Sequence, residues 1–340
     1  MNRRDLLKAA GWTTAAKLAG WGQAAVKKPN LIFVLADDLG VNGLSCYGSD
    51  KFKTPNLDKL AAGGTRYTNA YTAPLCGPSR ALILTGRYAF RTGATNQDAT
   101  GQMKPSVETM IPKVLKQAGY TSTMVGKWGQ LPLGPAEFGF DEHLRFTGSG
   151  SYWNSQDKAK TYVKNGERIK LGDKEYLPDV MHRNLVDFIA RHRDRPFFAY
   201  YSMSHVHAEI LPTPDSAPDS KDLYADNIVY MDKLVGKLVA ELERLKLRDN
   251  TLIIFVGDNG LVHRVGLHVD VGVLVAVERG GGSPQDRRSG KLAIRLLRSQ
   301  RFVQEQLDRL RYVAHRPDVE LAAGAGLNHL IAEAEVGNIG

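Results

Sequence analysis

The sequence predicts an α/β fold, a doubly wound and mostly parallel sheet with helices on both faces. Two runs carry the prediction. Leu31-Ile32-Phe33-Val34-Leu35-Ala36 and Thr251-Leu252-Ile253-Ile254-Phe255-Val256 are apolar almost throughout and rich in β-branched residues. A strand covered on both faces reads this way, whereas a strand with one wet face alternates. The third observation is order: strand-like and helix-like segments take turns along the chain.

Taken in order, the first strand is bounded by Pro29-Asn30 and Asp37-Asp38. Thr54 to Ala61 reads as a helix start, with Thr54 as cap, Pro55 in the first turn and Gly63-Gly64 as the stop. An apolar helix-like stretch follows Cys76-Gly77-Pro78-Ser79-Arg80. Glu108 to Ala118 reads as a helix and Tyr120 to Val125 as a strand. Asp179 to Arg193 is helical, Phe197 to Met203 is an aromatic-rich strand, and Asp222 to Leu245 is a long amphipathic helix before the Thr251–Val256 strand.

With 340 residues and 43% hydrophobic content there is room for one large α/β domain or two small ones. Cys46 and Cys76 are the two cysteines, so no disulfide framework is expected, and Cys46 reads as a packing residue. The net charge of +9 suggests a polyanion partner until it is located. More than half of the excess comes from Arg3, Arg4, Lys8, Lys17, Lys27 and Lys28. No basic stripe interleaved with aromatics follows, so nucleic acid is not an expected partner. Residues 1–28 read as an export signal: Asn2-Arg3-Arg4-Asp5-Leu6-Leu7-Lys8 resembles the twin-arginine pattern, and Ala9–Gly20 is too short and too mild to span a bilayer. The expectation is a chain delivered by export machinery to a periplasmic or extracellular location, with no stable membrane insertion.

In doubly wound sheets, sites gather at the carboxyl ends of strands. Asp37-Asp38, Gly126-Lys127-Trp128, Ser204-His205-Val206-His207 and Asp258-Asn259 each follow a predicted strand. Turn chemistry explains one such placement but not four. Asp37, Asp38, Asp258 and Asn259 offer only oxygen ligands. Converging carboxylates repel one another in a poorly solvated cleft, and a hard divalent cation resolves that repulsion. The set suits Ca²⁺, with Mg²⁺ second, and not zinc. Cys76 stands where a helix begins, facing the positive end of its dipole, and Arg80 follows one turn later on the same side.

Cys76, Pro78, Ser79 and Arg80, followed by Thr85-Gly86-Arg87, fill every fixed position of the signature C-x-P-S-R-x(4)-T-G-R. On those residues the chain resembles the sulfatase family, formylglycine-dependent enzymes of the alkaline phosphatase superfamily. The resemblance implies that a maturation enzyme converts Cys76 to formylglycine, whose hydrate is the nucleophile. It implies Ca²⁺ held by Asp37, Asp38, Asp258, Asn259 and residue 76. Arg80 and Lys127 would neutralise the sulfuryl oxygens, and Asp258 would take the proton of the attacking hydroxyl. His207 would protonate the leaving group, with Lys127, Gln130 and His205 binding substrate. Lys127 lies in Gly126-Lys127-Trp128, similar to the family's G-K-W-H element, but Gly129 replaces the histidine and Gln130 stands beside it. Tyr152 and Trp153, within the substrate-setting loops expected over residues 146–174, are candidates to stack on a sugar or aryl group.

The resemblance is read from Pro29 to Gly260, giving a catalytic domain over residues 29–262. Beyond it the composition changes: in residues 264–340 the only lysine is Lys291, and the only aromatics are Phe302 and Tyr312. That tail shows no strand–turn pattern of the kind expected of the family's C-terminal subdomain, and a shifted reading frame near residues 261–263 would account for it. The expected activity is sulfate-ester hydrolysis on a sulfated small molecule or glycan. Phosphodiester or phosphonate hydrolysis, and inactive binding of sulfated glycans, are the alternatives.

Overall fold

The two apolar runs form neighbouring central strands of one sheet. A computed structural model describes residues 28–258, apart from 69, 147 and 155–159, and the backbone of 276–279. All of them fall in a single compact unit, Met1–Gly281. Its strands are β1 (Asn30–Ala36), β2 (Gly64–Thr65), β3 (Thr121–Lys127), β4 (Glu142–Phe146), β5 (Thr161–Lys164), β6 (Glu167–Lys170), β7 (Phe197–Ser202), β8 (Thr251–Gly257) and β9 (Ala276–Arg279). They lie in the order β2-β9-β8-β1-β7-β3-β4-β5-β6. The run from β8 to β4 is parallel, and the strands outside it pair antiparallel. The predicted class holds.

Helices cover both faces because β1 is apolar on both. Ile32, Val34 and Ala36 pack beneath α1 (Pro55–Gly63), α4 (Leu177–Arg191) and α5 (Leu223–Arg244). Leu31, Phe33 and Leu35 face the opposite layer, with α2 (Cys76–Thr85) and α3 (Ile111–Gln117). Cys46 is half-buried against the first layer, in the packing role expected of it.

Several local expectations change. Thr54 precedes α1 but does not cap it: its hydroxyl accepts from Ser45 N at 3.0 Å. The free amides of α1 are met from α5, where the Asp232 carboxylate accepts from Leu57 N at 2.8 Å and Asn56 N at 3.1 Å. The helix expected from Glu108 begins at Ile111, with Pro112 in its first turn. Glu108 instead takes the Arg87 guanidinium at 2.6 Å. Residues 146–174, expected as loops, contain the β5–β6 hairpin. Tyr152, expected as a stacking surface, is fully buried, its hydroxyl donating to the carbonyls of Ser204 and His207. A strand also follows residue 263: β9 pairs with β8 and β2. The rest of the 264–340 tail lies outside the described residues, as do Asn259 and the export-signal region 1–27.

Candidate active site

The carboxyl ends of β1, β8, β3 and β7 converge on the first turn of α2. Asp37 leaves β1, and its backbone is locked on both sides, N–H to His205 O and C=O to Val206 N, each 2.6 Å. Asp38 adopts a left-handed backbone, φ 56°, which aims its amide at Asp258 Oδ1, 2.9 Å away. Such a conformation is costly for a non-glycine residue and persists where its surroundings fix it. Asp258 N donates in turn to Ala36 O at 3.0 Å.

Arg80 is fully buried and joins these strand ends. Its Nη2 donates to Asp37 Oδ1 at 3.0 Å and to Asp258 Oδ2 at 2.9 Å. Its Nη1 donates to Lys127 O at 3.2 Å and to the Ser202 hydroxyl. The Ser202 hydroxyl donates in turn to Lys127 O at 2.7 Å. Lys127 ends β3 inside the sheet, fully buried, with Nζ 2.5 Å from Asp37 Oδ2. The arrangement is one buried network, so each charge has a partner within hydrogen-bond reach.

The two buried carboxyls are driven apart. Burial alone would raise Asp37, but Arg80 and Lys127 outweigh it and hold the group below its ordinary value. Asp258 is pushed well above the usual carboxylate range by burial and by the Asp37 charge. Close carboxylates behave so when one proton is shared between them.

Cys76 opens α2 and is buried, although Leu75 before it is exposed. Two amides bracket its thiol. Gln97 Nε2 donates to Sγ at 3.0 Å while Gln97 Oε1 accepts from Gly77 N at 3.1 Å, and Gln130 Oε1 lies 3.7 Å from Sγ on its own side. Thr85-Gly86-Arg87, the other half of the motif, terminates α2: Gly86 is the left-handed cap, and Arg87 is anchored by Glu108.

Of the two candidate histidines, His207 reaches the site. Its Nδ1 donates to the Ala208 carbonyl, which leaves Nε2 facing inward, 3.4 Å from Asp38 Oδ2. The His205 ring, expected to bind substrate, does not open onto the site. Its ring is fully enclosed, with Nε2 paired to the Tyr176 hydroxyl at 3.0 Å, and burial lowers it to about 3. It serves through its backbone carbonyl, which holds Asp37. Gln97 and Ser202 are functional candidates that sequence reading missed. Nothing local marks either residue, and both are recruited by tertiary contact.

Asp37, Asp38 and Asp258 each present a carboxylate oxygen, and these atoms lie within 4.8 Å of one another. An all-oxygen set in which burial and a neighbouring charge raise one carboxyl fits a hard divalent cation, which would stabilise every carboxylate in its charged form.

The family model for sulfatases matches residues 29–289. The chain belongs to the sulfatase family. The chain is 34% identical over 287 residues to N-acetylgalactosamine-6-sulfatase of Canis lupus familiaris, covering 74% of this chain and 54% of that one. It is 31% identical to N-acetylgalactosamine-6-O-sulfatase of Bacteroides thetaiotaomicron, covering 69% and 60%. The chain therefore spans about half the length of the curated relatives it matches. A crystal structure of Ps i-CgsB superposes with a TM-score of 0.66 at 29% identity, covering 76% of this chain and 67% of that one. The match to residue 289 runs past residue 260, where the resemblance read from sequence stops, and takes in β9.

Proposed function

We propose that this chain hydrolyses sulfate esters, with residue 76 as nucleophile after conversion of Cys76 to formylglycine. The observation that carries the reading is the Cys76 side chain at the start of α2, one turn from an arginine buried against Asp37 and Asp258. When bound, a divalent cation, Ca²⁺ on the oxygen-only donor set, supplies Lewis-acid stabilisation of negative oxygen. Asp37, Asp38 and Asp258 would hold it, joined by residue 76 and Asn259.

The chain's own residues account for the rest. Gln97 and Gln130 fix the orientation of the residue 76 side chain, so the attacking atom is held before substrate arrives. Arg80 and Lys127 place two basic side chains in a water-poor cleft, where charge developing on sulfuryl oxygens is stabilised most. Asp258, ionised once the cation is bound, is placed to take the nucleophile's proton. His207 Nε2 delivers a proton to the departing alcohol. Gln130 supplies a hydrogen bond where the family's common element has a histidine, and it cannot carry a proton. The substrate class is a sulfated sugar or small molecule, in line with the names of the relatives. Export rests on the twin-arginine-like segment, and Arg3→Lys with Arg4→Lys should strand the protein in the cytoplasm.

Intact mass of the peptide containing residue 76 tests the modification, and aryl sulfate turnover by wild type and Cys76→Ala tests the chemistry. The expected results are formylglycine in the wild type and loss of hydrolysis in the variant with the fold retained. Unmodified Cys76 together with full activity in Cys76→Ala would overturn the reading.

A further inference from the structure

On the edge of the sheet farthest from β8, a row of side chains crosses three strands. The register pairs Arg145 of β4 with Val163 of β5, and Val163 with Arg168 of β6. Directly paired residues share a face, so both arginines lie on the same side of the sheet. Strand spacing sets their Cα atoms roughly 10 Å apart. Together with His143 and the segment Leu133–Glu137 they line a cavity of about 490 Å³. No residue of the Cys76 site lines it.

The charges in this cavity do not balance. Glu137 is its only acidic lining residue, and its carboxylate is engaged by Gly134 N at 3.1 Å. Neither Arg145 nor Arg168 forms an ion pair among the described residues. Arg145 Nε is buried without a hydrogen-bond partner there. A buried donor left unpaired is costly, more so when charged, so such groups are expected to meet a ligand or water. The pKa of His143 beside them is lowered by burial and by Arg145. Asn165, at the hairpin turn, ties β5 to β4 by bonds to the His143 backbone at 2.7 and 2.9 Å, which holds the row in place.

We propose that this cavity binds a tetrahedral oxyanion of the sulfate class between Arg145 and Arg168, as the free ion or as a sulfate group on a larger molecule. Guanidinium forks match such oxygens in geometry and charge. The site stands on its own and does not depend on what Cys76 does.

The test is calorimetric titration of the full chain with sodium sulfate against a chloride background of equal ionic strength, and with a sulfated disaccharide. Arg168→Glu and Arg145→Gln should each weaken one binding event at least about tenfold. Lys164→Glu makes the same charge change as Arg168→Glu on the opposite face of the hairpin, and should stay within about twofold of wild type. Binding that differs between wild type and Arg168→Glu belongs to this cavity and not to the cations beside Cys76. Tighter binding of the disaccharide, lost in Arg168→Glu, identifies an extended sulfated molecule as the ligand; equal binding identifies the free ion. Unchanged titrations in both arginine variants would overturn the proposal. An equal loss in Lys164→Glu would overturn it too, by reducing the effect to general attraction by a basic hairpin.

Discussion

Replacing Gly126 by alanine should unzip the sheet at the site. Gly126 sits in β3 opposite Ser202 of β7, with φ 117°. A Cβ added there would stand 1.8 Å from the Ser202 carbonyl oxygen and 2.7 Å from its carbon, where real Cβ atoms essentially never come within 3.0 Å. The strands must separate by more than 1 Å, and the obstacle is backbone, which cannot rotate away. The strained backbone adds about 1–3 kcal/mol, and losing one or two ladder bonds adds about 1 kcal/mol each. The sum is about 2–5 kcal/mol, a large part of the 5–15 kcal/mol that holds a typical domain together. Gly119→Ala is the control: its φ is also positive, 80°, but nothing lies within 4 Å of the new Cβ. It should cost about 1–2 kcal/mol. Urea unfolding of both variants decides the matter, and failure of Gly126→Ala to fold is the same result at its limit. A Gly126→Ala protein within about 1 kcal/mol of Gly119→Ala would refute the reasoning.

Gln97→Leu should lower kcat for aryl sulfate about tenfold or more with KM little changed, at equal formylglycine content by mass; an unchanged kcat would remove Gln97 from the site. Asp232→Ala should cost about 2–4 kcal/mol, read by thermal unfolding, because three donors at the start of α1 lose their acceptor. His182 is lowered to about 4 by burial. Between pH 6.5 and 4 the unfolded chain therefore binds a proton at this position that the folded chain refuses, so stability falls as pH falls. At about 1.4 kcal/mol per pH unit, wild type should lose about 3 kcal/mol relative to His182→Gln across that window. A constant difference between the two proteins would show that the imidazole protonates freely in the fold.

What could be read from sequence was local or repeated. The sheet was legible because β1 and β8 are apolar on both faces, and the cysteine motif because its residues are contiguous. Asp37, Lys127 and Asp258 were legible as strand-end residues. The residues that escaped notice act across long separations. Asp232 caps a helix 175 positions away, Ser202 links an arginine and a lysine from two other elements, and Gln97 meets Cys76 across 21 residues. His205 and Tyr152 lie deeper than their places in the sequence suggested, each with a partner in the core. A histidine's type says that it can titrate or ligate; burial decides whether it does.

Arg80 also sets a schedule. Its partners Asp37 and Asp258 come from strands near the two ends of the described chain, and Asp258 follows Arg80 by 178 residues. At translation rates of about 5–20 residues per second, roughly 10–35 s pass between the synthesis of Arg80 and that of Asp258. During that interval the cross-strand brace has no far anchor, and the neighbouring thiol, enclosed in the finished fold, is still open to a modifying enzyme. The same closure that dries the cleft ends that access, so the proposed conversion of Cys76 would have to precede it.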